Sequence, residues 1–279
     1  MIVTVIAQGT MGSGVAARLT ENGAEVRTSL AGRSEASAAR ARAAGMRDVD
    51  EAGIAASDII LSIIPPGEAT ALAERLRPAL TRATRKPVYV DCNAINPATV
   101  ARVAAIIAAT GCAFVDGGII GGPPKPGSKG TRIYLSGPDA ARVAALTEYG
   151  LEMPVLSGPV GAASAMKMSY AGITKGFTAL GAAMMLAATR GGTAADLKRE
   201  LAASQPQLFG WLTRQTPNMY AKAYRWVAEM EEIAGFVGDD PAARAMFEAA
   251  ARFYEAIAAD HAGAGRRTAA LTAFCETKP

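Results

Sequence analysis

Short apolar runs alternate with longer amphipathic stretches over the first half of this 279-residue sequence. The runs predicted as strands cover residues 2–7, 25–28, 58–64, 87–91, 112–115, 132–136 and 155–156. Helices are predicted between them at residues 11–21, 35–44, 67–77, 97–110 and 139–149. Continuously apolar strands separated by helices are typical of a parallel sheet that is covered on both faces. The pattern therefore predicts an α/β fold built on a doubly wound sheet.

The second half of the chain has a different pattern. Residues 162–189 contain no proline and predict one long helix, and the remainder is also typical of helices. We predict a nucleotide-binding domain over residues 1–157 and an all-α substrate and dimerisation domain over residues 158–279, joined by the long helix. Because an elongated, alanine-rich helical domain buries an apolar face against a second subunit, we expect a homodimer.

The overall composition excludes several classes of protein. Half of the residues are hydrophobic, 19% are charged and the net charge is +4, which excludes a mainly disordered chain. Basic residues are interleaved with acids and lack stacking aromatics, so no nucleic-acid partner is expected. No apolar run of 18 residues is free of charges, glycine or proline, and the N-terminus lacks a signal-peptide pattern. We therefore expect a cytoplasmic protein with no membrane partner.

Histidine and cysteine are scarce, which limits the chemistry of any site. The three cysteines (Cys92, Cys112 and Cys275) have neither disulfide nor metal-ligand spacing, so reduced thiols and no metal site are expected. His261 is the single histidine, which argues against Ser-His-Asp catalysis and multi-histidine metal sites. An acid–base catalyst is therefore expected to be another type of residue.

A glycine-rich turn directly follows the first predicted strand and opens the first predicted helix. Gly9, Thr10, Met11 and Gly12 form most of a G-x-G-x-x-G pattern in which Ala7 replaces the first glycine. In this context the pattern is typical of a dinucleotide-binding Rossmann domain. Its glycines let backbone approach a pyrophosphate and let the helix pack on the strand, while the helix N-terminus attracts the anion.

The end of the second predicted strand indicates which dinucleotide is bound. A carboxylate that would hold an NAD ribose is missing, because residues 27–34 contain no acid before Glu35. Arg33 can make a forked contact with a 2′-phosphate, and Ser34 can donate to that phosphate while capping the next helix. We predict NADP(H) over NAD(H), the alternative being a solvated Arg33 and a Ser34 that only caps.

Four segments together resemble the β-hydroxyacid dehydrogenases, a family that includes 6-phosphogluconate and 3-hydroxyisobutyrate dehydrogenases and to which imine reductases are related. They are IAQGTMGSGVA at 6–16, DCNAINP at 91–97, DGGIIGG at 116–122 and GPVGAASAMK at 158–167. The resemblance covers residues 2 to about 190. It is strongest to a poorly characterised branch with a phosphogluconate-dehydrogenase-type C-terminal domain.

The resemblance implies an NADP-dependent oxidoreductase that transfers hydride between the nicotinamide and a small hydroxy acid or alcohol, or its carbonyl counterpart. It assigns the role of general acid/base to Lys167, with Tyr170 one helical turn further as a hydrogen-bond donor or a core aromatic. The predicted cofactor contacts at strand ends are Ile64, Pro65, Pro66 and Asn93. The predicted substrate contacts are Ile120, Gly121, Gly122, Tyr170 and Glu229. Lys125, Lys129 and Arg132 either attract an acidic substrate or belong to a solvated loop.

Departures from the family pattern leave other functions open. Ile120 replaces a serine that would hold a substrate carboxylate, and Glu229 lies where the family usually has a Lys-Asp pair. Both changes suit an imine (C=N) reductase, although imine reductases usually replace the lysine at Lys167 with aspartate or tyrosine. A third hypothesis is a non-catalytic NADP-binding sensor.

Overall fold

A computed structural model describes residues 1–125 and 130–276. The chain divides into two compact units, Met1–Met168 and Ser169–Pro279. The division falls inside the long helix, eleven residues after the boundary predicted from the sequence (168 against 157). The first residues of that helix group with the sheet because a buried strand carboxylate binds them, as described below.

Seven strands form one sheet in the first unit. They are β1 (Ile2–Ile6), β2 (Glu25–Thr28), β3 (Arg47–Asp48), β4 (Ile59–Ser62), β5 (Val88–Asp91), β6 (Ala113–Ile120) and β7 (Arg132–Ser136). Their order is β3-β2-β1-β4-β5-β6-β7, and all neighbours are parallel except β6 and β7. The order reverses between β1 and β4, which confirms the predicted doubly wound Rossmann sheet. In such sheets ligands bind at the carboxyl ends of the strands near that reversal.

Helices cover both faces of the sheet. They are α1 (Thr10–Glu21), α2 (Glu35–Ala43), α3 (Glu51–Ala55), α4 (Ala69–Arg82), α5 (Pro97–Ala108) and α6 (Ala140–Ala144), followed by α7 (Ala162–Arg190). Two buried apolar clusters result, one containing Val3, Val15 and Leu19 and the other containing Ile60 and Leu76. Because both faces of the central strands are buried, these strands have the continuous apolar sequences from which they were predicted.

Three parts of the sheet unit differ from the predictions. β3 and α3 were not predicted, since elements of two and five residues are too short for hydrophobic periodicity to show. The glycine- and proline-rich sequence of residues 117–131 predicts a loop, and this prediction is wrong in its first part. There β6 continues to Ile120 and pairs antiparallel with β7. The predicted strand at 155–156 is reduced to an isolated bridge between Leu135 and Val155.

The second unit is helical throughout the part that the structure describes. It contains the rest of α7 and α8 (Ala194–Ser204), α9 (Pro206–Met219), α10 (Ala223–Phe236), α11 (Pro241–Ala262) and α12 (Arg266–Glu276). Met230, Ile233 and Tyr254 are buried where α10 packs on α11. This confirms the predicted all-α C-terminal region.

Within the described residues, α7 is the one helix whose length and composition would suffice to cross a membrane. The sequence-based prediction expected no such segment, because every apolar run of this length is interrupted by charges, glycine or proline. The helix is weak evidence for a membrane span, since a core helix of a soluble protein meets the same criteria.

Candidate cofactor and catalytic site

The phosphate loop has the backbone geometry that a dinucleotide requires. A Cβ placed on Gly12 would lie 1.8 Å from the carbonyl oxygen of Ala7, so only glycine lets α1 pack this closely on β1. A Cβ on Gly9 would meet no atom of the described residues within 4 Å, which leaves space above the loop. Among residues 1–125 and 130–276 no side chain caps α1, and its first turn carries no acid. Its N–H groups and partial positive charge therefore suit a pyrophosphate.

A buried glutamine fixes this loop to the end of β2. Gln8 donates through Nε2 to Thr28 Oγ1 and, at 2.8 Å, to the carbonyl oxygen of Ser29. From α2, Arg40 donates through Nε to the carbonyl oxygen of Gln8 at 2.7 Å and through Nη2 to Ser37 Oγ at 2.9 Å. A guanidinium is thereby held against the phosphate loop. The sequence indicated neither contact, because Gln8 occupies a variable position of the glycine motif and Arg40 lies outside every motif.

The turn between β2 and α2 carries the residues predicted to select NADP(H). Ser34 Oγ caps α2 by accepting from Ser37 N at 3.3 Å, so the predicted capping role is confirmed. Arg33 is exposed beside Gly32, whose φ of 69° makes the turn. The position of Arg33 leaves its side chain accessible to a phosphate, and its contact with the cofactor stays a prediction.

Asn93 organises the carboxyl ends of β4 and β5. Its Oδ1 accepts from Ile64 N at 2.7 Å, and its Nδ2 donates to Ser62 Oγ at 2.9 Å. These contacts bury the side chain and fix the turn that leads into Pro65 and Pro66. Asn93 was predicted to contact the cofactor directly. The structure shows it shaping the neighbouring turn, and direct contact stays a prediction.

Asp91 ends β5 as a buried carboxyl group beside a second one. It pairs in register with Asp116 on β6. Burial raises the pKa of Asp91 to about 7, hydrogen bonds from Asn93 oppose that shift, and the charge of Asp116 adds to it. Its Oδ1 accepts from Asn93 N at 2.9 Å, whereas Oδ2 has no hydrogen-bond partner among the described residues. The protonated carboxyl is therefore favoured in the folded chain up to near-neutral pH.

This raised pKa predicts a pH-dependent stability. The folded protein retains a proton on Asp91 that the unfolded chain releases at lower pH, so the stabilisation is lost as pH rises from about 4 to about 7. Asp91→Asn should flatten that slope in urea-unfolding curves measured across this range. The exposed Asp239→Asn is the control and should leave the slope unchanged. An unchanged slope in Asp91→Asn would contradict the assigned protonation.

Lys167 lies in the second turn of α7, close to the end of β6. A Cβ on Gly118 would lie 3.2 Å from Lys167 Cβ and 2.6 Å from the carbonyl oxygen of Ala163, so α7 packs directly on the glycine of the strand. Lys167 is half-buried there. The structure thus brings the predicted acid–base residue next to the strand that carries the predicted substrate contacts.

Those substrate contacts follow at the end of β6. Ile120 is the last strand residue and pairs with Arg132. Gly121 has a φ of 117°, and a Cβ there would lie 2.3 Å from the carbonyl oxygen of Gly130, so this turn requires glycine. Gly122 is exposed, and its carbonyl oxygen accepts from Thr131 Oγ1.

Two of the basic residues after this strand make contacts with other parts of the sheet unit. Arg132 Nε forms an ion pair with Glu152 Oε2 at 3.1 Å. The carbonyl oxygen of Lys125 accepts from Arg18, and Lys129 lies outside the described residues. Attraction of an acidic substrate by these residues stays a prediction.

The remaining two predicted site residues belong to the second unit. Tyr170 is 50% exposed on α7. Glu229 on α10 forms an ion pair with Lys175, whose ammonium lies 5.0 Å from the Trp226 ring centroid. Tyr254 OH donates to the carbonyl oxygen of Lys175 at 2.5 Å, and burial followed by the charge of Glu229 raises the pKa of this tyrosine. Glu229 is therefore charge-compensated within its own unit, which the sequence did not indicate.

Comparisons with known proteins agree with this architecture. Residues 2–149 match the family described as the NAD binding domain of 6-phosphogluconate dehydrogenase. Residues 188–257 match a domain of unknown function, DUF1932. An uncharacterised 28.5 kDa protein of Methanothermus fervidus is 28% identical over 158 residues, which is 56% of this chain. The match spans 59% of the length of that relative.

Solved structures share the fold over nearly the whole chain. The conserved protein MTH1747, of unknown function and described as similar to 3-hydroxyacid dehydrogenases, is 30% identical with a TM-score of 0.72. That match covers 92% of this chain and 96% of the other. An imine reductase of Streptomyces aurantiacus is 24% identical with a TM-score of 0.58, covering 92% and 96%. The second likeness supports the fold alone.

Proposed function

The chain belongs to the family of the NAD binding domain of 6-phosphogluconate dehydrogenase, and on that premise we propose that it is an NADP-dependent oxidoreductase. Its substrate is a small hydroxy acid or alcohol, or the carbonyl counterpart. One observation carries this proposal: Lys167 packs against β6 in the same unit as a glycine loop that suits a pyrophosphate. A proton donor and a dinucleotide loop are the two parts that carbonyl reduction needs.

Each part has a distinct role. A bound dihydronicotinamide would supply the hydride to the carbonyl carbon. Lys167 donates a proton from its ammonium to the carbonyl oxygen, which becomes the hydroxyl, and accepts that proton in the oxidation direction. Gly9 and the first turn of α1 would hold the pyrophosphate, and the turn that Asn93 fixes would support the rest of the cofactor. Gly118 leaves space for α7 to bring the lysine to the edge of the sheet.

We propose NADP(H) as the preferred cofactor, and Arg33 is the residue that tests the preference. Arg33→Ala should lower kcat/KM with NADPH about 10- to 100-fold and leave kcat/KM with NADH nearly unchanged, because a charged contact to the 2′-phosphate is lost. Steady-state kinetics with both cofactors measure the ratio. Arg82→Ala, at an exposed position on α4, is the control and should leave the ratio as in the wild type. An unchanged ratio in Arg33→Ala would show that the preference was assigned to the wrong residue.

A substrate panel tests the reaction class. We expect NADPH-dependent reduction of small aldehyde and keto acids, and oxidation of the matching hydroxy acids with NADP⁺. A cyclic imine in the same assay should react more slowly, because Lys167 is retained and Glu229 is already paired with Lys175. Faster turnover of the imine would favour the C=N reductase. Cofactor binding without turnover of any compound would favour the sensor.

We also propose that the enzyme is a homodimer. Five large apolar side chains on α7 are exposed at alternating spacings of three and four residues: Tyr170, Ile173, Phe177, Leu180 and Met184. This spacing is typical of a helix that packs along a second helix, and a two-fold dimer would pair the stripe with itself. Light scattering should show a mass twice that of the 28.6 kDa chain. The double variant Ile173→Glu and Leu180→Glu should show the mass of a single chain. A wild-type monomer in light scattering would contradict the dimer. If that monomer bound lipid vesicles and the double variant did not, the stripe would be a membrane-binding face.

A further inference from the structure

A fully buried carboxylate on β6 binds the start of α7. One oxygen of Asp116, Oδ2, accepts from Gly161 N at 3.0 Å and from Ser164 N at 2.9 Å. The other, Oδ1, accepts from Ser164 Oγ at 2.6 Å. Ser136 on β7 joins the network, because its hydroxyl donates to Asp116 Oδ2 at 3.0 Å and accepts from Ala163 N at 3.0 Å. Two strands thus satisfy the N–H groups of Ala163 and Ser164, which the first turn of α7 would otherwise leave unpaired.

A glycine on the same strand also lets the helix pack closely on the sheet. Gly118 lies two residues after Asp116 and therefore on the same face of the sheet. A Cβ at that position would meet the carbonyl oxygen of Ala163 and the Cβ of Lys167. Asp116 binds the N-terminus of α7 through hydrogen bonds, and Gly118 leaves space for the next turn of the helix, which carries Lys167. Lys167 follows Ser164 by three residues, which is less than one turn.

We infer that Asp116 is the positioning residue for Lys167: its hydrogen bonds fix the first two turns of α7 on the sheet and so place the acid–base ammonium. This inference rests on the proposed function for its catalytic consequence. It assigns to Asp116 a role through Lys167 and not a direct role in proton transfer. A carboxylate is also favourable here because it meets the positive end of a long helix dipole.

Three variants of the full chain separate positioning from charge. Asp116→Ala removes every contact in the network. Asp116→Asn keeps them when its Oδ1 takes the place of Oδ2 and its amide donates to Ser164 Oγ. Asp50→Ala is the matched control, since Asp50 caps α3 in the same unit by accepting from Gly53 N at 2.8 Å.

The first readout needs no substrate. Amide hydrogen exchange of residues 161–168 should accelerate at least about tenfold in Asp116→Ala, stay near the wild-type rate in Asp116→Asn, and not change in Asp50→Ala. The second readout is kcat. It should fall about 100-fold in Asp116→Ala, since a displacement of about 1 Å has effects of that size. Asp116→Asn should retain most of the wild-type kcat. The Kd for NADPH should be unchanged in all three variants.

A double-variant comparison ties the effect to the lysine. In a Lys167→Met background, Asp116→Ala should cause no further loss of kcat, because the group that it positions is absent. The inference is overturned by unchanged exchange in Asp116→Ala, by equal losses of kcat in both backgrounds, or by Asp116→Asn being as impaired as Asp116→Ala. If Asp116→Ala does not fold, Ser164→Ala replaces it, with smaller losses expected in both readouts. A wild-type chain without activity would refute the proposed function, and the exchange rates would still decide whether Asp116 fixes the helix.

Discussion

Lys167→Met should lower kcat for carbonyl reduction by about 10²- to 10⁴-fold, the range typical of a lost general acid. Methionine keeps the length and the apolar part of the side chain, so α7 should still pack on Gly118. The Kd for NADPH should change less than about twofold, because the phosphate loop lies on β1 and α1. Stopped-flow measurement of NADPH oxidation, with binding followed separately by fluorescence titration, would give both values.

The control for this prediction is a lysine outside the sheet unit. Lys222→Met replaces an exposed side chain between α9 and α10 and should retain wild-type kcat. Near-wild-type turnover in Lys167→Met, with NADPH still bound, would eliminate Lys167 as the proton donor. A loss of kcat accompanied by an equal loss of NADPH affinity would indicate that the substitution disturbs packing, and not that it removes a proton donor.

Gly12→Ala should destabilise the protein by about 3 kcal/mol or more and abolish NADPH binding. The new methyl carbon would lie 1.8 Å from the carbonyl oxygen of Ala7. Because the obstacle is backbone, no side-chain rotation relieves it, and α1 would have to move away from β1. Urea unfolding measures the loss of stability, and fluorescence titration measures the loss of binding.

Gly9→Ala is the matched substitution at the neighbouring motif glycine. Gly9 has a φ of −69°, which alanine adopts without strain, and a Cβ there would meet no atom within 4 Å in the part of the chain that the structure describes. The free energy of unfolding should therefore stay within about 0.5 kcal/mol of wild type. The affinity for NADPH should still fall at least about tenfold, because the methyl group occupies the approach to the pyrophosphate. Equal losses of stability in the two variants would refute the separate roles assigned to these glycines.

The central strands and the phosphate loop could be predicted because their constraints are local. A strand buried on both faces must be apolar throughout, and Gly12 marks the contact between one strand and the next helix. The end of β6 could not be predicted in this way. Gly117 and Gly118 are typical of loops, yet here they are strand residues that pair with β7. They are glycines because Cys92 and α7 leave no space for side chains.

Contacts between distant segments were the part of the site that sequence patterns could not supply. Arg40 reaches the carbonyl of Gln8 across 32 residues, and Asp116 binds Ser164 across 48 residues. Such pairs depend on the completed sheet, which brings the carboxyl ends of β1, β5 and β6 to one edge. Glu229 illustrates the same limit, since its partner Lys175 lies 54 residues away on another helix.

Transfer of deuterium from 4-deuterated NADPH tests the central claim most directly. The chain would be incubated with small aldehyde acids, keto acids and a cyclic imine, and the products analysed by mass spectrometry. We predict one deuterium on the former carbonyl carbon of at least one acid, with transfer lost in Lys167→Met. Deuterium found only in the amine product, or in no product while NADPH binds tightly, would contradict an oxidoreductase that acts on C–O bonds through Lys167.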